Sequence, residues 1–292
     1  MVQKTYAKRT VIFEPIAKNV RYYVVLCTWG MRRKIGRNEV IKIAFVQIPR
    51  NLILGYKNTQ GDTMIDDVPA RIFCEAFLSF NSSKLHKCRF TLDEIKALSG
   101  LNEKRRADKN NGRMKRIIDS MQNLIRDGTL CIDRESIRDY KSNAVIDAEW
   151  FPNPNPSSYV TLEDSEYIKL LERNSGSMTM YDLFVYLYIK GRLWFRATGE
   201  SLRAQCARVS QQEIADIMKM SRSSITRIVA HLANDLDMIA YKNMAAYSIK
   251  TDSGGTQPYK PKSVYVLKQD GWEEELTQGV AEYTSFLREK GF

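Results

Sequence analysis

One short stretch of the sequence concentrates polar side chains that could bind a polyanion through hydrogen bonds. The residues concerned are Arg222, Ser223, Ser224, Thr226 and Arg227. Guanidinium and hydroxyl groups can donate to phosphate oxygens and to the edges of bases in the major groove of DNA. These side chains can act together only if the chain turns them toward one side. The neighbouring residues must therefore supply a helix.

The residues around this stretch predict two short amphipathic helices. Ser210 and Glu213 have the S-x-x-E spacing of a capping box, which begins a helix. The apolar residues of this helix fall on one face, and they are Ile214, Ala215 and Met218. Ser221 can cap a second helix, whose apolar residues recur at helical spacing. These are Ile225, Ile228, Val229 and Leu232. Because the two helices need each other to bury these faces, the segment predicts a helix-turn-helix.

From Ser210 to Leu232 the sequence resembles the bacterial helix-turn-helix pattern. Ala215 matches the small residue at which the helices cross, and Met220 matches the apolar residue of the turn. Lys219 stands where the pattern favours glycine, so we expect a looser or slightly strained turn. The resemblance implies that the polar residues after Ser221 face outward and contact DNA. Helices that serve only packing or dimerisation are the alternative.

The residues that follow the helix pair predict a β-hairpin. Residues 237–241 lead into a strand, and Ser263–Leu267 alternates like a returning strand. The connecting loop is basic and contains Lys250, Gly254, Gly255, Pro258, Lys260, Pro261 and Lys262. A helix-turn-helix followed by such a hairpin is a winged helix, and we expect its wing to bring Lys260 and Lys262 to DNA. The apolar run at residues 178–194 predicts the buried first helix of this unit.

The same order of elements occurs earlier in the chain. Thr91 and Glu94 form another capping box, and apolar residues continue at helical spacing through residues 114–121. A strand and an apolar helix precede both copies, within residues 43–80 and 159–194. Two copies of one unit predict an α+β fold that consists of two winged-helix domains in tandem.

The first copy carries an inserted basic segment at residues 102–113. Its cations suit a loop that grips the phosphate backbone, and the start of the next helix adds two more. These candidate DNA contacts are Lys104, Arg105, Arg106, Lys109, Arg113, Lys115 and Arg116. Arg116 falls opposite Arg227 when the two copies are aligned. A first module with a purely structural role is the alternative.

Charge and composition divide the chain into five segments. The net charge is +11, and residues 1–50 hold eleven Lys and Arg against two Glu. The expected segments are a basic N-terminal arm (1–42), a first winged helix (43–148), a proline-rich linker (149–158), a second winged helix (159–268) and an acidic amphipathic helix (269–292). Three alternating prolines make the linker a semi-rigid spacer or a kinked edge strand. We expect the acidic helix to pack on the second module, and docking of a partner protein is the alternative.

Little in the sequence suggests catalysis. The two histidines are far apart, and the five cysteines are scattered without a CxxC, which opposes a paired-His metal site, a disulfide framework and a zinc ribbon. A GxxxxGK[ST] phosphate loop is absent. Asp164, Glu166 and Lys169 have a nuclease-like spacing but more simply open a helix. We therefore expect no enzyme activity, cofactor or metal. An enzyme with a winged-helix appendage is the alternative.

The sequence also lacks membrane and secretion signals. No run approaches the roughly 18 apolar residues of a membrane span, and the N-terminus does not have the pattern of a signal peptide. Unpaired cysteines suit a reducing compartment. We expect a bacterial cytoplasmic protein that is associated with nucleoid or plasmid DNA and has no membrane partner.

The order of elements in residues 43–268 resembles the replication initiators of bacterial plasmids and mobile elements. The phrase VQIPRNLI, residues 46–53, is also similar to the strand-to-helix start of initiators from Gram-positive plasmids and of phage replisome organisers. The resemblance implies a protein that binds double-stranded DNA at repeated origin sites, with host replication proteins as partners. A transcriptional autorepressor at a palindrome, or a conjugation or partition accessory protein, is the alternative. Homodimerisation is left open.

Overall fold

The computed structural model describes most of the chain after residue 44. The described ranges are 45–54, 67–83, 86–100, 107–152, 158–172, 179–193, 204–250 and 256–290, with two short strands before them. The chain divides into two units, Met1–Lys42 and Ile43–Phe292. In the first unit, β1 (Val11–Ile12) and β2 (Tyr23–Val24) pair antiparallel. The basic side chains of the expected N-terminal arm lie outside the described residues.

The first half of the second unit alternates short strands with helices. Its elements are β3 (Phe45–Pro49), α1 (Arg50–Ile53), α2 (Val68–Asn81), β4 (Lys87–Phe90), α3 (Leu92–Leu98), α4 (Ala107–Arg126), β5 (Leu130–Ile132), a 3-10 turn (Ile137–Asp139) and β6 (Ile146–Trp150). Asp67 caps α2, since its carboxylate accepts a hydrogen bond from the Ala70 amide, and Pro69 lies in the first turn. The predicted apolar helix after residue 67 is therefore confirmed.

The second half has a similar order of elements. They are β7 (Tyr159–Glu163), α5 (Asp164–Glu172), α6 (Thr179–Gly191), β8 (Ala207–Val209), α7 (Gln211–Met218), α8 (Arg222–Ala230), a π-helical turn (His231–Asp235), β9 (Ile239–Lys242), β10 (Tyr247–Lys250), β11 (Thr256–Tyr259), β12 (Ser263–Leu267) and α9 (Trp272–Glu289). The protein is thus mixed α+β, as its sequence predicts. Helix α6 is buried along its whole length, which explains why its own apolar residues lie on all of its faces.

Each half contains a three-stranded antiparallel sheet with the same strand order. The orders are β4-β6-β5 and β8-β12-β9, so the last strand of each half lies in the centre. The sequence predicted β9 and β12 of the second sheet, did not predict β6 of the first, and missed β4 and β8. These strands have four and three residues, too few for a clear alternating pattern.

The two halves are joined by a shared sheet and by packed helices. Strands β3 and β7 pair antiparallel, with Phe45 opposite Glu163 and Pro49 opposite Tyr159. Helices α2 and α6 pack against each other, and one contiguous apolar core runs through both halves. The halves are therefore parts of one compact unit.

The expected linker requires a correction at its start. Glu149 and Trp150 belong to β6, the central strand of the first sheet, and Trp150 is 3% exposed. Its indole nitrogen donates to the Ser79 hydroxyl at 3.0 Å. Alternating burial of Ile146, Ala148 and Trp150 continues the strand to the edge of the proline-rich segment. Residues 153–157 lie outside the described residues.

Helix α9 covers the outer face of the second sheet, as expected for the acidic C-terminal helix. It packs on β9 and β12, and a second apolar cluster forms between them. The contact is close at Gly279, where an added Cβ atom would lie 2.8 Å from the Cys206 sulfur. Because both faces of β12 are covered, all five of its residues are buried. Among the described helices, none is long and apolar enough to cross a membrane.

Candidate nucleic-acid interface

Helix α7 begins at Ser210, but the predicted capping box is only half formed. The Ser210 hydroxyl accepts a hydrogen bond from the Gln212 amide at 3.1 Å. The Glu213 side chain, expected to bond back to Ser210, points instead to cations and a tyrosine on other elements. For this carboxylate, hydrogen bonds to charged donors are stronger than a hydrogen bond to the Ser210 backbone amide.

The turn between α7 and α8 is strained at the residue where the sequence predicted it. Lys219 adopts the left-handed conformation, with φ +52° and ψ +42°. This conformation favours glycine because a side chain crowds the backbone. The Met220 amide donates to the Ala215 carbonyl at 2.9 Å and closes the turn. Of the two expected outcomes, a looser or a slightly strained turn, the strained turn is confirmed.

Helix α8 lies on the core with its predicted apolar face. Ser221 caps it, since its hydroxyl accepts from the Ser224 amide at 3.3 Å. Ile225, Ile228 and Val229 are buried, and α8 packs on α6 and α7. The predicted amphipathic helix is therefore confirmed, and its other face is directed to solvent.

The outward face of α8 presents the polar residues that the sequence singled out. Arg222, Ser223, Thr226 and Arg227 are exposed, and Ser224 is half-buried. The Thr226 hydroxyl lies 2.8 Å from the Gln211 side-chain oxygen, which ties α8 to α7. Neither Arg222 nor Arg227 forms an ion pair with a carboxylate in the described part of the chain. Both guanidinium groups are thus available to an external anion.

The segment after α8 contains more strand than the sequence predicted. β9 and β12 pair as expected, but the predicted loop between them holds a further antiparallel ribbon of β10 and β11. The sequence missed this ribbon because Pro258 lies inside β11, where it faces Ser248. We call residues 247–259 the wing ribbon. Lys260, directly after it, is exposed.

Lys262 is exposed as well, but its ammonium group already has a partner. Its Nζ donates to Glu213 Oε2 at 3.1 Å. Glu213 Oε1 accepts from Tyr188 Oη at 3.0 Å and from Arg192 Nη2 at 3.1 Å. Burial disfavours the charge of Glu213, yet these hydrogen bonds and the nearby cations lower its pKa below the usual value. Sequence reasoning missed this cluster, although Tyr188 and Arg192 are four residues apart and so share a helix face.

In the first half, α3 begins with the predicted capping box. The Glu94 amide donates to the Thr91 hydroxyl at 3.1 Å, and the Thr91 amide donates to the Glu94 carboxylate at 2.7 Å. The sequence also placed residues 107–113 in a loop, and this was wrong. Lys109 and Arg113 lie in the first turns of α4, because a helix once formed extends at small cost, even through Gly112. Lys104, Arg105 and Arg106 lie outside the described residues.

Lys115 and Arg116 point in different directions. Lys115 is exposed on α4. Arg116 turns inward, where its guanidinium donates to both Asp67 oxygens and to the Tyr181 hydroxyl. Burial opposes its charge, but Asp67 and Tyr181 raise the pKa of Arg116. The expected equivalence with Arg227 is therefore wrong in orientation, since Arg116 serves a contact inside the protein.

The residues with nuclease-like spacing do not converge on one point. The Glu166 carboxylate accepts from Lys190 at 2.6 and 2.8 Å and from the Tyr186 hydroxyl. Lys169 donates to the Asp237 carbonyl at 3.0 Å. Within the described ranges, His, Cys, Asp and Glu form no group that could hold a metal ion. These side chains stabilise α5 and α6.

No protein-family model, curated protein or solved structure matches the chain. The candidate site is the exposed face of α8, whose two guanidinium groups have no carboxylate partner in the described part of the chain. A β-ribbon that ends at the exposed Lys260 follows later in the chain.

Proposed function

We propose that the protein is a non-enzymatic, sequence-specific double-stranded DNA-binding protein that consists of two tandem winged helices. The observation that carries the proposal is the outward face of α8, where Arg222 and Arg227 are exposed and have no carboxylate partner among the described residues. Guanidinium groups on the outward face of such a helix can bind both phosphates and guanine edges.

The connection between β9 and β12 supports the same function. It carries Lys250, Lys260 and Lys262 against Asp252 alone, and of these Lys262 is paired with Glu213. The exposed Lys260, directly after the wing ribbon, would neutralise a phosphate and so supply affinity that does not depend on sequence. Helix and ribbon together would combine specific with general contacts.

The repeated architecture supports a protein with two DNA-reading modules. Both halves run strand, helix, helix, strand, helix, helix and then further strands, and each contains a three-stranded sheet of the same order. The role that we propose is that of a replication initiator or origin-binding protein of a plasmid or mobile element, in the bacterial cytoplasm. Host replication proteins would be its partners.

The test is a footprint of the purified protein on the DNA that surrounds its own gene. We expect protection of an iterated array of sites, and Arg222→Ala and Arg227→Ala should each weaken specific binding by about 1–3 kcal/mol. Arg89→Ala is the control, because it also removes an exposed guanidinium, here from the outer face of the first sheet. A single protected palindrome over a promoter would instead indicate a transcriptional regulator. If no duplex is protected, or if Arg89→Ala weakens binding as much, the proposal is wrong.

A further inference from the structure

Glu213 has a different partner from its counterpart in the first half. Glu94 and Glu213 occupy the same position, the third residue of the first helix of each helix pair. Glu94 closes its own capping box at 2.7 Å. Glu213 leaves the cap of α7 and binds Tyr188, Arg192 and Lys262. The Glu213 carboxylate therefore does not cap its own helix. It accepts hydrogen bonds from three residues that are distant in sequence, and so links the elements that carry them.

The elements joined by Glu213 are α6, α7 and the connection to the wing ribbon. Tyr188 lies in the last turn of α6, and Arg192 directly follows this helix, which also packs on α8. Lys262 directly precedes β12. The Glu213, Arg192 and Lys262 side chains are 27%, 38% and 45% exposed, so they are partly shielded from water. Partial shielding strengthens the attraction between them.

Among the described residues of the wing ribbon, β10 and β11 pair with each other and not with β8, β9 or β12. Residues 243–246 and 260–262 connect the ribbon to β9 and β12, and both connectors lie outside the strands. Side chains bridge this gap instead. Ser263 Oγ donates to Asn243 Oδ1 at 2.7 Å, and the Lys262 amide donates to the Tyr283 hydroxyl at 3.2 Å. The Lys262–Glu213 ion pair attaches one connector to α7.

We infer that Glu213 is a positioning residue that holds the wing ribbon at a set angle to the α7–α8 pair, and that Lys262 serves this contact rather than the DNA backbone. The inference rests on the proposed function, since the angle matters only if ribbon and helix bind one duplex together. Two contact surfaces that must fit the same DNA lose affinity when one of them moves relative to the other.

Two variants and one control test the inference. Glu213→Gln keeps an acceptor for Tyr188 but removes the charge that holds Lys262. Lys262→Met keeps the aliphatic stem and removes the ammonium group. The control, Glu94→Gln, makes the same change at the same helical position and keeps an oxygen for the Thr91 amide. Each is examined in the full chain by hydrogen exchange and by affinity for specific and non-specific duplexes.

We expect Glu213→Gln and Lys262→Met to speed exchange in the two connectors and the wing ribbon, and to leave α2, α6 and the first sheet unchanged. Each should lower specific affinity about tenfold, with little effect on non-specific affinity. The double variant should be no worse than either single one, because the two side chains act as a pair. Glu94→Gln should alter neither measurement.

Three results would overturn the inference. One is unchanged exchange in the ribbon of Glu213→Gln. Another is that Lys262→Met loses affinity for every duplex and shows a weaker salt dependence, while Glu213→Gln binds normally. In that case Lys262 would contact phosphate directly. The third is an equal effect of Glu94→Gln. If the wild-type protein binds no duplex, the proposed function fails, and the exchange measurement still decides whether Glu213 positions the ribbon.

Discussion

Lys219 has a backbone conformation that is unfavourable for a residue with a side chain. Its φ of +52° places it in the left-handed region, where a residue with a Cβ atom is disfavoured by about 1–2 kcal/mol. The side chain is exposed at the turn that precedes α8. A cation at this place is consistent with a contact to the same anion that α8 would bind.

Lys219→Gly should stabilise the fold. Glycine removes the cost of the left-handed conformation, but it also loses more conformational entropy on folding. Because the first effect is larger, we expect a net gain of about 0.5–1 kcal/mol in the free energy of unfolding. Urea denaturation measures this change in the free energy of unfolding. Lys115→Gly, on the exposed side of α4, should instead destabilise by about 1 kcal/mol. Loss of stability in Lys219→Gly would contradict the strain assigned to the turn.

Glu213 gives the stability of the protein a pH dependence. Because its pKa in the folded state lies below the ordinary 4.5, its ionised form stabilises the fold. That contribution is complete above the ordinary value and is lost as the pH falls through the lowered pKa. The free energy of unfolding should therefore differ between the wild type and Glu213→Gln at neutral pH, and the two should converge as the pH drops below 4.5. Denaturation curves at pH 7 and pH 3 test this, and a difference that grows on acidification would refute it.

At the scale of elements, α6 organises the second unit through three tyrosines. Each hydroxyl meets charged partners from another part of the fold, and the pairs are Tyr181 with Arg116, Tyr186 with Glu166, and Tyr188 with Glu213. Lys190, also on α6, is buried and pairs with Glu166. A fully buried helix thus keeps polar groups at sites where each finds a partner.

The two three-stranded sheets differ in the polarity of their outer faces, because α9 covers the second sheet. β6 alternates buried and exposed residues, and its outward Asp147 pairs with Arg89 across the strands. β12 is buried throughout under α9. The outer face of the first sheet is consequently polar and that of the second apolar.

Gly279→Ala should weaken the attachment of α9 to the second sheet. Its methyl group would lie 2.8 Å from the Cys206 sulfur and 3.2 Å from Val264, which is closer than normal contact. Such overpacking costs about 1–3 kcal/mol and exceeds the gain in helix propensity. Urea denaturation should show the loss, and Cys206→Ala should recover part of it by removing the sulfur. A stability equal to that of the wild type would mean that α9 shifts without cost.

At the scale of the whole molecule, the two halves form one body. β3 pairs with β7, α2 packs on α6, and Arg116 of the first half reaches Tyr181 of the second. Two recognition surfaces carried on such a frame would keep a constant spacing. Modules on a flexible linker would not.

Arg116→Ala should therefore act on stability and not on DNA contact. It leaves Asp67 without its cation, and a charge-assisted hydrogen bond of this kind contributes about 2 kcal/mol. Arg227→Ala should do the reverse, since that side chain is exposed on α8. Unfolding and binding measured on both variants separate the two roles. Weak binding by a fully stable Arg116→Ala would show that Arg116 reaches the DNA.

Several features followed from the sequence because they depend on neighbouring residues. The cap at Ser221, the strained turn at Lys219 and the apolar faces of α7, α8 and α9 arise within a few residues along the chain. Periodicity and capping therefore identified these elements and the outward face of α8. The helical extension through residues 107–113 and the ribbon β10–β11 were missed, because local signals there oppose the structure that forms.

Contacts between distant segments decided the remaining features. Arg116 and Arg227 match in the aligned sequence, yet Asp67 and Tyr181 turn the first inward. Glu94 and Glu213 match as well, and Lys262 draws only the second away from its cap. The pairing of β3 with β7 spans more than a hundred residues. Sequence spacing determines which residues share a face, whereas the partner that a charged side chain meets depends on the packing of the whole chain.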